Sequence, residues 1–142
     1  MSVSSLVKQE LQNLRKELSV LSLVISQKDK ASLDDIEVRG AALSLGSLYN
    51  GMERVLKQLL LDRNTSISDS PNWHSALLQK SAELRIISQE TMDEMKGFLG
   101  FRHFVRHAYS FEINPKAIGA ILDLAPELVQ RFITEVEAFG AR

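Results

Sequence analysis

VKQELQNLRKELSVLSLVI, residues 7–25, places Val7, Leu11, Leu14, Leu18, Leu21 and Ile25 at alternating steps of four and three. At about 100° per residue this spacing gathers all six side chains on one stripe of an α-helix. It predicts a helix over about residues 3–29. One apolar stripe needs an apolar partner, and the next segment supplies it. Ser32 precedes LDDIEV, with Asp35 three residues on, which reads as an N-cap followed by carboxylates that favour the positive end of the helix dipole. Val38, Ala42, Leu45, Tyr49, Met52, Leu56 and Leu59 then repeat the rhythm over about residues 33–62. Two long helices joined by a short turn form an antiparallel hairpin. Gly40, Gly46 and Gly51 weaken the second helix and permit close backbone approach there.

RNTSISDSPN, residues 63–72, is the one clear loop, and Ser70-Pro71 fits an N-cap with proline at the first helical position. A third helix is predicted over about 71–88, with Trp73, Leu77, Leu84 and Ile87 turned inward. A fourth spans about 90–109. Asn114-Pro115 opens another helical stretch, and Pro126 is expected to break or restart it before the stripe of Leu128, Phe132, Val136 and Phe139. No useful period-two alternation occurs. The expected fold is all-α: one domain over residues 1–142, an up-and-down four-helix bundle with short additional helices.

The bulk composition limits function. The chain has 142 residues, 44% of them hydrophobic and 25% charged, with a formal net charge of -1. A protein that coats nucleic acid broadly needs a strongly basic surface, which this balance excludes, although one local basic site is compatible with it. With no cysteine there is no disulfide, thiolate metal site or cysteine nucleophile. MSVSSLVKQELQNLRKEL lacks the basic and apolar regions of a signal peptide. LSVLSLVI, residues 18–25, is far short of the roughly 20 residues that span a bilayer. A soluble, cytoplasmic protein with no membrane partner is expected.

Against that balanced background, FRHFVRHAY at residues 101–109 concentrates two of the three histidines with two arginines and a tyrosine. No acidic residue lies between Glu94 and Glu112, whereas Lys96, Arg102, His103, Arg106 and His107 all do. On a continuous helix Arg102, Arg106 and Tyr109 fall near one line, with His103 and His107 on another beside it. Three chemistries fit. Arginine presents a planar fork of donors to phosphate, and histidine exchanges protons near neutral pH, which together suit metal-free cleavage of a phosphodiester. The i,i+4 histidines also match a metal pair, but the adjacent arginines oppose a cation and no third ligand is indicated. Finally, Arg and His at a helix C-terminus satisfy the dipole in any bundle. The spacing leaves all three open.

Arg102-x4-His107-x-Tyr109, late in a helical chain of this length, resembles the R-x4-H-x-Y motif of HepT-type toxins in the HEPN superfamily. LYNGMERVLKQLL, residues 48–60, is similar to that family's second-helix pattern, and WHSALL, residues 73–78, to the start of its third helix. The resemblance implies a HEPN-like bundle that forms a homodimer and cleaves RNA as a metal-independent endoribonuclease, the toxin of a type VII-like toxin–antitoxin pair. It implies a minimal nucleotidyltransferase antitoxin that transfers AMP from ATP to the motif tyrosine, and no cofactor of the toxin's own. Carried over, Arg102 stabilises phosphate charge, His107 is the acid–base group and Tyr109 is the AMPylation site. The family often has Asn where this chain has His103, which either assists phosphate or proton handling or is an exposed neighbour. Arg106 and Lys96 are candidate RNA-phosphate contacts or solvated charges. Glu53 either orients Arg102 or is a solvated helix-surface residue. His74 is read as a capping or packing residue, and Trp73, Phe98 and Phe101 as core or dimer contacts. The alternative function is a catalytically inactive bundle that binds a nucleotide or the transferase.

Overall fold

The computed structural model describes residues 4–27, 29–67 and 69–142. Five α-helices occur among them: α1 (Ser5–Gln27), α2 (Asp35–Asp62), α3 (Trp73–Glu83), α4 (Gln89–His107) and α5 (Pro115–Gly140), with 3-10 turns at Lys30–Ser32 and Ser110–Glu112. The four long helices alternate in direction. Glu10 meets Arg54 and Glu17 meets Ser44, so α1 and α2 run antiparallel. Arg15 meets Glu137 and Lys30 meets Asp123, which sets α5 antiparallel to α1. Ser88 meets Glu135 and Glu94 meets Arg131, so α4 opposes α5. Together with the short α3 this is the up-and-down four-helix bundle with short additions that the periodicity predicts.

Helix α2 is the axle. It packs against all four other α-helices, and so buries side chains around most of its circumference, from Val38 to Leu60. The α1 stripe lies against it, with Val7, Leu11, Leu14, Leu18 and Leu21 all buried. Gly51 is where the two backbones come closest: a Cβ there would meet Leu14 Cδ2 at 2.7 Å. Gly40 and Gly46 face open space, so close approach requires glycine only at position 51.

Several element ends differ from expectation, each for a local reason. Residues 3 and 28 of the expected first helix lie outside the described residues, and Asp29 is already extended. The cap of α2 is Asp34 and not Ser32, because Ser32 belongs to the preceding 3-10 turn while Asp34 has extended backbone. Asp34 Oδ1 accepts the Glu37 amide at 2.8 Å and Glu37 Oε1 accepts the Asp34 amide at 3.1 Å, a reciprocal capping box. In the expected loop, Ser68 lies outside the described residues. Pro71 does not open α3: the Trp73 amide bonds Ser70 O at 3.0 Å in a turn, and the helix starts at Trp73.

Helix α3 also stops at Glu83, short of 88. Ile86 N–H reaches Ser81 O (2.9 Å) and Arg85 N–H reaches Ala82 O (3.0 Å), a Schellman closure with Arg85 at φ 59°. The closure buries Ile86 and Ile87 and leaves Leu84, expected inside, at the surface. Pro126 does not break α5, which is continuous through it. A mid-helix proline costs about 3 kcal/mol. Here Leu122, Ala125, Leu128 and Val129 are all buried around it, and that packing holds both flanking turns in register.

Candidate functional site

The cationic segment forms the C-terminal end of α4. Ser88 opens this helix, its Oγ accepting the Thr91 amide at 3.1 Å, and Phe98 and Phe101 anchor it in the core. Phe98 packs against Tyr49 of α2 with ring centroids 5.6 Å apart. The helix ends at His107, two residues before the expected limit, because Ala108 turns extended (ψ 151°) and a 3-10 turn follows. Tyr109 is therefore off the helix, and the expected line through Arg102, Arg106 and Tyr109 does not continue to it. Its amide donates to Glu112 Oε1 at 2.8 Å, its ring lies parallel to Phe111 (5.6 Å, 6°), and it is 73% exposed.

Arg102 is half-buried and turned toward α2, where its Nε donates to Asn50 Oδ1 at 2.8 Å. The donor fixes the amide's orientation, since a guanidinium has no acceptor and must face the carbonyl oxygen. His103 and His107 are exposed on a neighbouring face with ring centroids 4.4 Å apart. Arg106 and Lys96 are exposed too. Five residues of helix separate Arg102 from His107, about 140° around the axis and about 7.5 Å along it. The chain thus directs Arg102 and His107 to different sides of the helix.

Glu53 is neither solvated nor bonded to Arg102. It is 5% exposed, and its Oε2 accepts from the Tyr49 hydroxyl at 2.7 Å and meets His74 Nδ1 at 2.6 Å. A carboxylate has no proton to give, so the Nδ1 proton belongs to His74. His74 stacks on Trp73 (3.6 Å), which in turn carries the Lys57 ammonium at 3.8 Å from its ring centroid. His74 is thus a packing and hydrogen-bonding residue that ties α3 to α2. Burial, then the Glu53 charge and the bond to Glu53, push the Tyr49 phenol well above the usual tyrosine range, opposed only by the nearby Arg102 charge. The shift favours the protonated phenol, the form that donates to Glu53. Among the described residues no group of three or more His, Cys, Asp or Glu side chains could hold a metal ion, and no helix is long and apolar enough to cross a membrane.

The structure joins Arg102 to Asn50 and Glu53 to His74, and leaves His103, Arg106, His107 and Tyr109 exposed at and just beyond the C-terminal end of α4. Sequence reading missed Asn50. Its only signal is an amide in a helix interior, between two residues that are both buried, Tyr49 and Gly51.

A family model described as HepT-like protein matches residues 40–142. A search of curated proteins found no match. The fold is similar to that of a tri-AMPylated Shewanella oneidensis HEPN toxin solved in complex with an MNT antitoxin. The TM-score is 0.82 at 15% identity, over 96% of this chain and 99% of that one. It is also similar to a chain in a structure of the toxin–antitoxin pair MntA–HpeT bearing a tyrosine-to-alanine substitution, with TM-score 0.79 at 14% identity over 93% of this chain and 98% of that one. A match spanning residues 40–142 includes Tyr49, Asn50 and Glu53 of α2, the whole of α3 and the cationic end of α4, and by it the chain belongs to the HepT-like family.

Proposed function

We propose that this chain is the toxin of a type VII-like toxin–antitoxin pair, a metal-independent endoribonuclease. The observation that carries the reading is the C-terminal end of α4, where Arg102 pairs with no carboxylate among the described residues and His107 stands exposed on the same helix. Family membership and the likeness to two solved toxin chains support it.

In the proposed reaction a histidine takes the proton of a ribose 2′-hydroxyl, and the 2′-oxygen attacks the adjacent phosphorus. The P–O5′ bond breaks, and a second histidine returns a proton to the leaving 5′-oxygen. Arg102 holds the charge that accumulates on the phosphorus oxygens between these events. One protomer splays Arg102 and His107 apart, so we assign the cleft to a homodimer in which each copy supplies what the other directs elsewhere. His103, Arg106 and Lys96 hold flanking phosphates.

The partner is a minimal nucleotidyltransferase antitoxin. Tyr109 Oη attacks the α-phosphorus of ATP, the bond to the β-phosphate oxygen breaks, pyrophosphate leaves, and the phenolic proton goes to solvent. Each added AMP brings a negative phosphodiester beside His103, Arg106 and His107, which repels RNA phosphate and fills the cleft. Cleavage of RNA in EDTA by wild type and by His107→Ala tests the reading. A wild type that cuts nothing leaves the chain a nucleotide- or transferase-binding bundle. For the switch, the mass after incubation with partner and ATP should rise by AMP units in wild type and not in Tyr109→Phe.

A further inference from the structure

We infer that Asn50 is a positioning residue for the phosphate-binding guanidinium of Arg102, holding it in place by a side-chain carbonyl that leaves its charge unneutralised. The inference rests on the reading of Arg102 as the phosphate-binding group and adds a role that the motif does not contain.

A guanidinium carries five N–H groups, one on Nε and four on the two Nη atoms. The Nε group is committed to Asn50 Oδ1 at 2.8 Å across the α2–α4 contact. Fixing that edge fixes the plane of the fork, and the Nη pair on the far side is the edge that grips a phosphate in a bidentate fashion.

Among the described residues three other arginines tie one helix to another, and all three do so through carboxylates: Arg15 to Glu137, Arg54 to Glu10, and Arg131 to Glu90 and Glu94. Arg102 also ties two helices, yet its partner is a neutral amide. The carboxylate one turn further along α2, Glu53, faces the Tyr49 hydroxyl and His74. Glu53 is thus taken up by Tyr49 and His74 and makes no ion pair with Arg102, and Asn50 holds Arg102 through a neutral oxygen.

Asparagine in a helix interior is disfavoured relative to alanine. An aspartate at this position would make the same contact as a charge-assisted bond, stronger than the present one. For stability alone Asp serves better; for an arginine that must attract phosphate, Asn does.

The test uses full-length Asn50→Asp and Asn50→Ala beside wild type. Three quantities are read: melting temperature, steady-state RNA cleavage in EDTA, and the salt dependence of binding to a 2′-O-methyl RNA oligonucleotide that cannot be cut. Asn50→Asp should melt at or above the wild-type temperature, lose about 100-fold in kcat/KM, and bind with a salt slope shallower by about 0.7. Asn50→Ala, which frees the fork but keeps its charge, should lose about 10-fold in kcat and keep the wild-type slope. If wild type cuts and Asn50→Asp cuts and binds equally well, the inference is overturned and the nuclease reading stands. If wild type binds but does not cut, and Asn50→Asp binds more weakly, the nuclease reading falls and the role of Asn50 stands. A wild type that neither cuts nor binds overturns both.

Discussion

The two ends of α4 each meet one guanidinium, and they treat it in opposite ways. At the N-terminal end Arg131, from α5, donates to Thr91 Oγ1 at 3.0 Å, pairs with Glu90 at 3.4 Å and with Glu94, and lies 4.0 Å from Glu127. Burial alone would depress its pKa, but the hydrogen bond and charge of Glu94, with Glu90 and Glu135, hold it above the ordinary arginine value. At the C-terminal end Arg102 meets one neutral oxygen, and the exposed polar side chains that follow it on the helix are His103, Arg106 and His107. Arg131 is a fastener whose charge is matched within the chain. Arg102 is fastened through a neutral oxygen and makes no ion pair with a carboxylate among the described residues. The difference separates a group that holds the bundle from the group proposed to address phosphate, although both are arginines bridging helices.

The comparison can be broken by mutation, and the largest effect should come from its catalytic half. His107→Ala should lower RNA cleavage about 1,000-fold while the melting temperature stays that of wild type, since the ring is exposed; an equal loss of stability would contradict the assignment. Glu53→Ala should act the other way. It strips the acceptor from Tyr49 and His74 in a buried place, and a loss of about 2–3 kcal/mol is expected in urea unfolding. Arg131→Met removes the fastener and should destabilise by about 1–2 kcal/mol with unchanged cleavage per folded molecule; a drop in specific activity would show that the two ends are not independent. Ser88→Ala deletes the cap that opens α4 and should cost about 1 kcal/mol, read as a lower melting temperature at constant kcat.

Much of this contrast was legible before any coordinates. The stripes of α1 and α2 repeat so regularly that hairpin and core follow from spacing, and Lys96 to His107 stand out because carboxylates are missing around them. Element ends were less legible, since they depend on competition among neighbours. Ser32 and Asp34 are both good caps, and the 3-10 turn that absorbs Ser32 decides between them. Pro126 would stop an isolated helix, but burial of the residues around it outweighs the missing hydrogen bond. Arg102 and Asn50 are 52 residues apart, and no local pattern announces a bond between them. Glu53 looked like a surface residue or a partner for Arg102, and only the arrival of His74 from α3 reveals its actual company.

Because α4 stops at His107, Tyr109 stands in a short turn whose backbone bonds run to Glu112 and back, with its ring against Phe111 and in water. No core side chain leans on its hydroxyl. A bulky group attached there displaces nothing that keeps the bundle folded, so the modified and bare proteins should melt at the same temperature. The regulation proposed for this position would be a change of label on an unchanged body, and a labelled molecule would be kept in reserve without any tendency to unravel.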